Sequence, residues 1–124
     1  MRVGLEYGDG KLWIELPDDR TTVINPIYDS AIADPIAAIQ KAIKEPIASR
    51  PLREIVQRGQ SVAISVCDVT RPQLRKEAVG AIISELEGIT TPEDVLIMIA
   101  TGTHRSNTPE ELEQMLGNDI VNNY

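Results

Sequence analysis

Apolar residues change their spacing along this chain, from alternating, to helical, to nearly continuous, and each change predicts a different element. Leu12, Ile14 and Leu16 alternate with Lys11, Trp13 and Glu15, the period of a strand with one solvated face. Val3–Tyr7 and Lys11–Leu16 therefore read as two strands joined by Gly8-Asp9-Gly10, a hairpin signal. Pro17-Asp18-Asp19 is a turn, and Thr21–Asn25 reads as a third strand. Asp34-Pro35 then opens a helix, with Asp as N-cap and Pro in the first helical position. Ile36, Ile39, Ile43 and Ile47 keep helical spacing, with Pro46 ending the helix before the last of them. A short helix over Pro51–Arg58, capped by Ser49 and closed by Gly59, is expected next.

Beyond Ser61 the pattern becomes more informative. Val62–Cys67 is β-rich and almost unbroken, as expected of a strand buried on both faces. After Asp68–Pro72 a helix is predicted, with Leu74, Ala78, Ala81, Ile82 and Leu86 on one stripe and Gly88 at its end. Gly80 in its middle costs ~1 kcal/mol against Ala, which suggests close approach to the sheet. Thr91–Asp94 forms a capped turn before the apolar run Val95–Ala100. The loop Thr101–Arg105 leads to Thr108-Pro109-Glu110-Glu111, a capping signature, and a helix to Leu116 and Gly117. The order β-loop-α-β-loop-α implies parallel strands and a right-handed crossover. The fold class is α/β: a parallel βαβα unit with a small antiparallel N-terminal strand module, three-layer and Rossmann-like. No internal repeat or low-complexity linker interrupts it.

Composition narrows the function classes. Apolar residues make up 42% and charged residues 25%, so a packed core is possible, although Phe is absent and aromatics total 3%. A length of 124 residues fits one domain or a piece of a larger protein. The net charge of −7 argues against nucleic acid as a partner. One cysteine excludes an intrachain disulfide, and one His with one Cys cannot close a metal site. The apolar run Val95–Ala100 is far shorter than the ~20 residues of a membrane helix. The first residues show neither a basic leader nor an apolar signal core, so a soluble cytoplasmic protein is expected, with no membrane partner.

Candidate chemistry lies in the two loops that follow the apolar runs, Asp68-Val69-Thr70-Arg71-Pro72 and Thr101-Gly102-Thr103-His104-Arg105. In parallel sheets such loops open on one edge, where α/β folds bind ligands. Helix N-termini there would present free N–H groups, and Arg71, Arg75 and Arg105 would add positive charge, favouring a phosphate or carboxylate. His104, the only histidine, is a candidate acid–base group. Each residue also has a structural reading: Asp68 as a cap for the next helix, Thr70 and Thr108 as hydroxyl caps, Gly102 as a turn, Cys67 as a buried strand residue. On residues alone, an enzyme site, a nucleotide- or phosphate-binding module without catalysis, and a purely structural pair of loops all stand.

Asp68-Val69-Thr70-Arg71-Pro72 together with Ala100–Arg105 resembles the N-terminal domain of the nickel-pincer-nucleotide lactate racemase family. The likeness extends to Pro46-Ile47-Ala48-Ser49-Arg50-Pro51-Leu52 upstream and Pro109-Glu110-Glu111 downstream. It implies a racemase or epimerase of lactate-type 2-hydroxy acids that works through hydride transfer to and from a nickel pyridinium-3,5-bisthiocarboxylate mononucleotide. By the same resemblance, Asp68, Val69, Thr70 and Arg71 contact the cofactor, Arg71 helps hold the anionic substrate, and His104 is one of two acid–base histidines. No residue of this chain is assigned to the nickel. The family's second acid–base His, its cofactor-tethering Lys and its nickel-ligating His lie farther along, so residues 1–124 are read as the cofactor-binding part of a longer protein. The remainder of that chain would be its partner in the site. Alone, these residues are expected to be inactive and to hold neither nickel nor the cofactor tightly.

Overall fold

A computed structural model describes every residue, Met1–Tyr124, in two compact units, Met1–Ala31 and Ile32–Tyr124. In the first, β1 (Arg2–Tyr7) and β2 (Gly10–Glu15) pair antiparallel, with Val3 opposite Ile14 and Leu5 opposite Leu12. Gly8, at φ 56°, supplies the turn. Gly4 lies opposite Trp13, whose ring covers the space a side chain there would need, and the Arg2 guanidinium sits 4.8 Å above that ring. A 3-10 turn follows at Asp18–Arg20. The expected strand Thr21–Asn25 does not form: no neighbouring strand takes up its N–H and C=O groups, and Val23 and Ile24 are exposed.

The second unit opens with α1 (Pro35–Lys44), where Asp34 Oδ1 accepts from the Ala37 N–H at 2.9 Å, as its sequence signature requires. Ile47 lies outside this helix, fully exposed, as expected with Pro46 ending the helix before it. α2 is a single turn, Leu52–Ile55, rather than Pro51–Arg58, and Ser49 does not cap it: its hydroxyl donates to the Arg50 carbonyl. Arg53 fastens α2 to the end of the following helix by donating to the Glu85 carbonyl at 2.7 Å.

β3 (Val62–Cys67) and β4 (Val95–Ala100) pair parallel, with Val62 opposite Val95 and Cys67 opposite Ala100. Between them runs α3 (Arg75–Leu86), and after β4 come α4 (Pro109–Leu116) and α5 (Asn118–Asn123). The α/β class, the parallel βαβα order and the antiparallel N-terminal module are all present. Ile64 and Val95 from the sheet, Val79 from α3, and Met115 and Leu116 from α4 form the core, with Ile97, Ile99, Ile120 and Val121 packed against them.

Two expectations about this core change. The strands are not buried on both faces: Ala63, Ser65, Leu96 and Met98 share the opposite face and are exposed, Leu96 at 60%. Both helices pack on the Ile64 side, so only one face is covered. On α3 the predicted Ala81 and Leu86 are buried and Ile82 packs on the core, but Arg75 and Val79 are buried as well, while Leu74 precedes the helix and is 54% exposed. A Cβ on Gly80 would meet nothing within 4 Å, so close packing does not explain that glycine. No helix is long and apolar enough to cross a membrane.

Candidate functional site

Because β3 and β4 run parallel with Cys67 beside Ala100, the chain leaves both strands at the same edge. Asp68 and Arg71 from the first loop and Thr101–His104 from the second line a crevice of about 280 Å3 there. The second loop turns tightly: the His104 N–H donates to the Thr101 carbonyl at 3.0 Å, with Gly102 at φ 59°. A side chain at that angle would be strained, which accounts for the glycine.

Asp68 is 3% exposed, and both its carboxylate oxygens are engaged. Oδ1 accepts from the Thr70 N–H (3.2 Å) and the Thr70 hydroxyl (2.7 Å), and Oδ2 lies 2.5 Å from His104 Nδ1. The bond from the Thr70 hydroxyl, then that with His104, holds the Asp68 carboxyl below the usual range, outweighing the opposing effect of burial. Asp68 is therefore not a cap for α3, which starts after Leu74 without any side-chain cap. The His104 side chain is 46% exposed at the lip of the crevice.

The three arginines expected to charge the mouth take separate roles. Arg71 is exposed, lines the crevice and has no ion-pair partner. Arg75 is 8% exposed: it donates from Nε to the Cys67 carbonyl at 2.8 Å, and from Nη2 to the carbonyls of Asp68 and Arg71. It clamps the loop to the start of α3 and contributes no free cation. Arg105 grips Glu111 with both ends of its fork, at 2.9 and 2.7 Å. That pair, then the Thr108 N–H and the Asn107 amide, lowers the Glu111 carboxyl to about 2. The α4 N-terminus is also occupied, since Thr108 Oγ1 accepts from the Glu111 N–H and Glu111 Oε2 accepts from the Thr108 N–H. Thr108 is thus a hydroxyl cap, and the expected anion-binding end of α4 is closed by its own carboxylate.

Two features were not read from the sequence. One is the burial of Arg75, whose signal was its position four residues before Val79 on the inner stripe of α3. The other is the Asp68–Thr70–His104 network, whose members are separated by 36 residues between Asp68 and His104 and so show no local pattern. Val69 packs against the core, which anchors the first loop from below. Cys67 is a half-buried strand residue whose carbonyl serves Arg75. The residues contain no group of three or more His, Cys, Asp or Glu able to hold a metal ion.

Residues 7–124 match the family model described as lactate racemase N-terminal domain. The chain is 27% identical to the lactate racemase of Thermoanaerobacterium thermosaccharolyticum, over 98% of this chain and 29% of that protein. It is 29% identical to the lactate racemase of Lactiplantibacillus plantarum, over 89% of this chain and 29% of that protein. The solved apoprotein structure of the T. thermosaccharolyticum lactate racemase superposes with a TM-score of 0.74 at 28% identity, covering 99% of this chain and 28% of that one. The chain thus spans under a third of the length of the curated relatives it matches.

Proposed function

The chain belongs to the lactate racemase N-terminal domain family, and on that premise we propose that it is the cofactor-binding part of a lactate-type 2-hydroxy-acid racemase or epimerase. His104 acts as an acid–base group in this reading, and Arg71 holds the substrate carboxylate. Asp68, Val69, Thr70 and Arg71 form the segment that meets a nickel-pincer nucleotide.

The observation that carries the proposal is the pairing of an unpartnered guanidinium, Arg71, with a half-exposed imidazole, His104, on one small crevice. A 2-hydroxy acid offers two handles, a carboxylate and a hydroxyl. Arg71 suits the first, since its planar fork matches a carboxylate or phosphate. His104 suits the second, since a neutral imidazole accepts a hydroxyl proton near neutral pH and returns it as the centre is rebuilt.

The residues also fit the nucleotide. Arg71 is a free donor for a phosphate, Thr101 and Thr103 line the same crevice, and Gly102 leaves the backbone uncovered by any side chain. The group would supply the uptake and return of hydride at the 2-carbon, a reaction beyond any amino-acid side chain. The residues present here would bind and orient it, while nickel ligation falls to residues outside 1–124, as does the second acid–base group.

The test is His104→Ala in the complete cofactor-loaded protein, following conversion of L-lactate to D-lactate and the reverse. Racemisation is expected to be lost in both directions with nucleotide content retained. Unchanged racemisation would remove His104 from the reaction. Arg71→Ala is expected to weaken substrate or nucleotide binding. Retained nucleotide binding together with no turnover of any 2-hydroxy acid by the unaltered protein would instead favour a binding module without catalysis.

A further inference from the structure

The arrangement of Asp68 under His104 assigns a task that the cofactor segment as a whole does not describe. We propose that the Asp68 side chain is a positioning residue that holds neutral His104 in the Nδ1–H tautomer, leaving Nε2 as the nitrogen that exchanges protons with substrate. The catalytic consequence rests on the racemase reading above; the tautomer does not.

The argument begins with what a carboxylate can do. Ionised, it only accepts, so the imidazole nitrogen 2.5 Å from Asp68 Oδ2 must carry the proton. In neutral histidine, a proton on Nδ1 leaves a lone pair on Nε2. Thr70 favours the ionised carboxylate, donating to Oδ1 through both its N–H and its hydroxyl. Asp68 is buried, with both oxygens engaged by Thr70 and His104, which fixes the direction in which Oδ2 meets the ring. Its main chain is fixed as well, because Arg75 donates to the carbonyls on both sides of the loop, those of Cys67 and Arg71, and to that of Asp68 itself. The chain of support therefore runs from the start of α3 through Arg75 to Asp68, and from Asp68 to the ring of His104. The charged groups nearest the ring leave this assignment intact: Arg71 lines the crevice as a donor, and Arg105 is held by Glu111.

His104 is the only histidine, so uniformly 15N-labelled protein gives one imidazole spin system. At a pH where the ring is neutral, long-range 1H–15N correlations are expected to show a protonated Nδ1 and a bare Nε2. Asp68→Asn is expected to shift the population toward Nε2–H, since an amide can donate to Nδ1. In the complete cofactor-loaded protein the same change is expected to lower kcat roughly 10–100-fold with KM and nucleotide content little altered. A predominantly Nε2–H ring in the unaltered protein overturns the inference, and that measurement needs no variant to fold. Loss of nucleotide from Asp68→Asn with the tautomer unmoved also overturns it, by making the carboxylate a cofactor contact. Full activity of His104→Ala would sink the racemase reading while leaving the tautomer assignment standing.

Discussion

Replacing Arg75 tests whether one buried side chain holds the crevice together. Its guanidinium makes three hydrogen bonds to main-chain carbonyls and has no carboxylate partner. A hydrogen bond to a charged group contributes about 1.5–3 kcal/mol, but three from one side chain are not additive. Removing the arginine also removes the cost of burying its charge, and water can reach part of the loop from the crevice. A net loss of about 3 kcal/mol is therefore expected for Arg75→Ala. For a unit the size of Ile32–Tyr124 that corresponds to a fall in Tm of about 12–24 °C. Trp13 lies in the other unit, so its fluorescence is a poor reporter; helical circular dichroism during urea or thermal unfolding is the appropriate assay. Arg75→Lys should recover little, because one ammonium cannot replace a planar fork that reaches three carbonyls. Arg75→Met, which restores much of the packing without the donors, should resemble Ala. If Ala costs less than about 0.5 kcal/mol, or Lys restores full stability, the clamp is not what fixes this loop.

Val79→Ala should destabilise by roughly 2 kcal/mol, because Val79 is 1% exposed in the core, whereas Leu74→Ala should stay within about 0.5 kcal/mol; urea midpoints in the reverse order would reject the observed face of α3. Gly80→Ala should stabilise by about 1 kcal/mol, since the added methyl meets open space in a helix, and a lower Tm would show that something packs there. Glu111 has its folded carboxyl lowered from 4.5 to about 2, so its contribution to stability is complete above the unfolded value and is lost as pH falls between them. Glu111→Gln should flatten the acid limb of a stability–pH profile over that window, though Asp68, also lowered, keeps part of the slope; an unchanged profile would mean the pair with Arg105 does not form in solution.

Elements whose instructions are local were legible in advance. The hairpin, the Asp34 and Thr108 caps, and the runs Val62–Cys67 and Val95–Ala100 each declare themselves within a few residues, through turn chemistry, capping oxygens and apolar spacing. Parallel pairing followed from the intervening helix, and with it the meeting of the two loops. Elements that depend on finding a partner carry no such local signal. Thr21–Asn25 has strand-like residues but no strand beside it, and α5 was missed because Ile120 and Val121 gain their stability from the core.

The charged residues mark the division most sharply. By charge and position alone Arg71, Arg75 and Arg105 are equivalent, three cations near one loop or the other, and only the family resemblance singles out Arg71. Residue order determined where the loops begin, which helices they enter and that both open on one edge, since those outcomes are written in neighbours a few positions apart. Only the tertiary structure decided that Arg75 is buried among carbonyls, that Arg105 is held by Glu111, that Arg71 alone stays free, and that Asp68 lies under His104. Those outcomes depend on which long side chain reaches which acceptor once the backbone has brought them together, a competition settled by distance and burial.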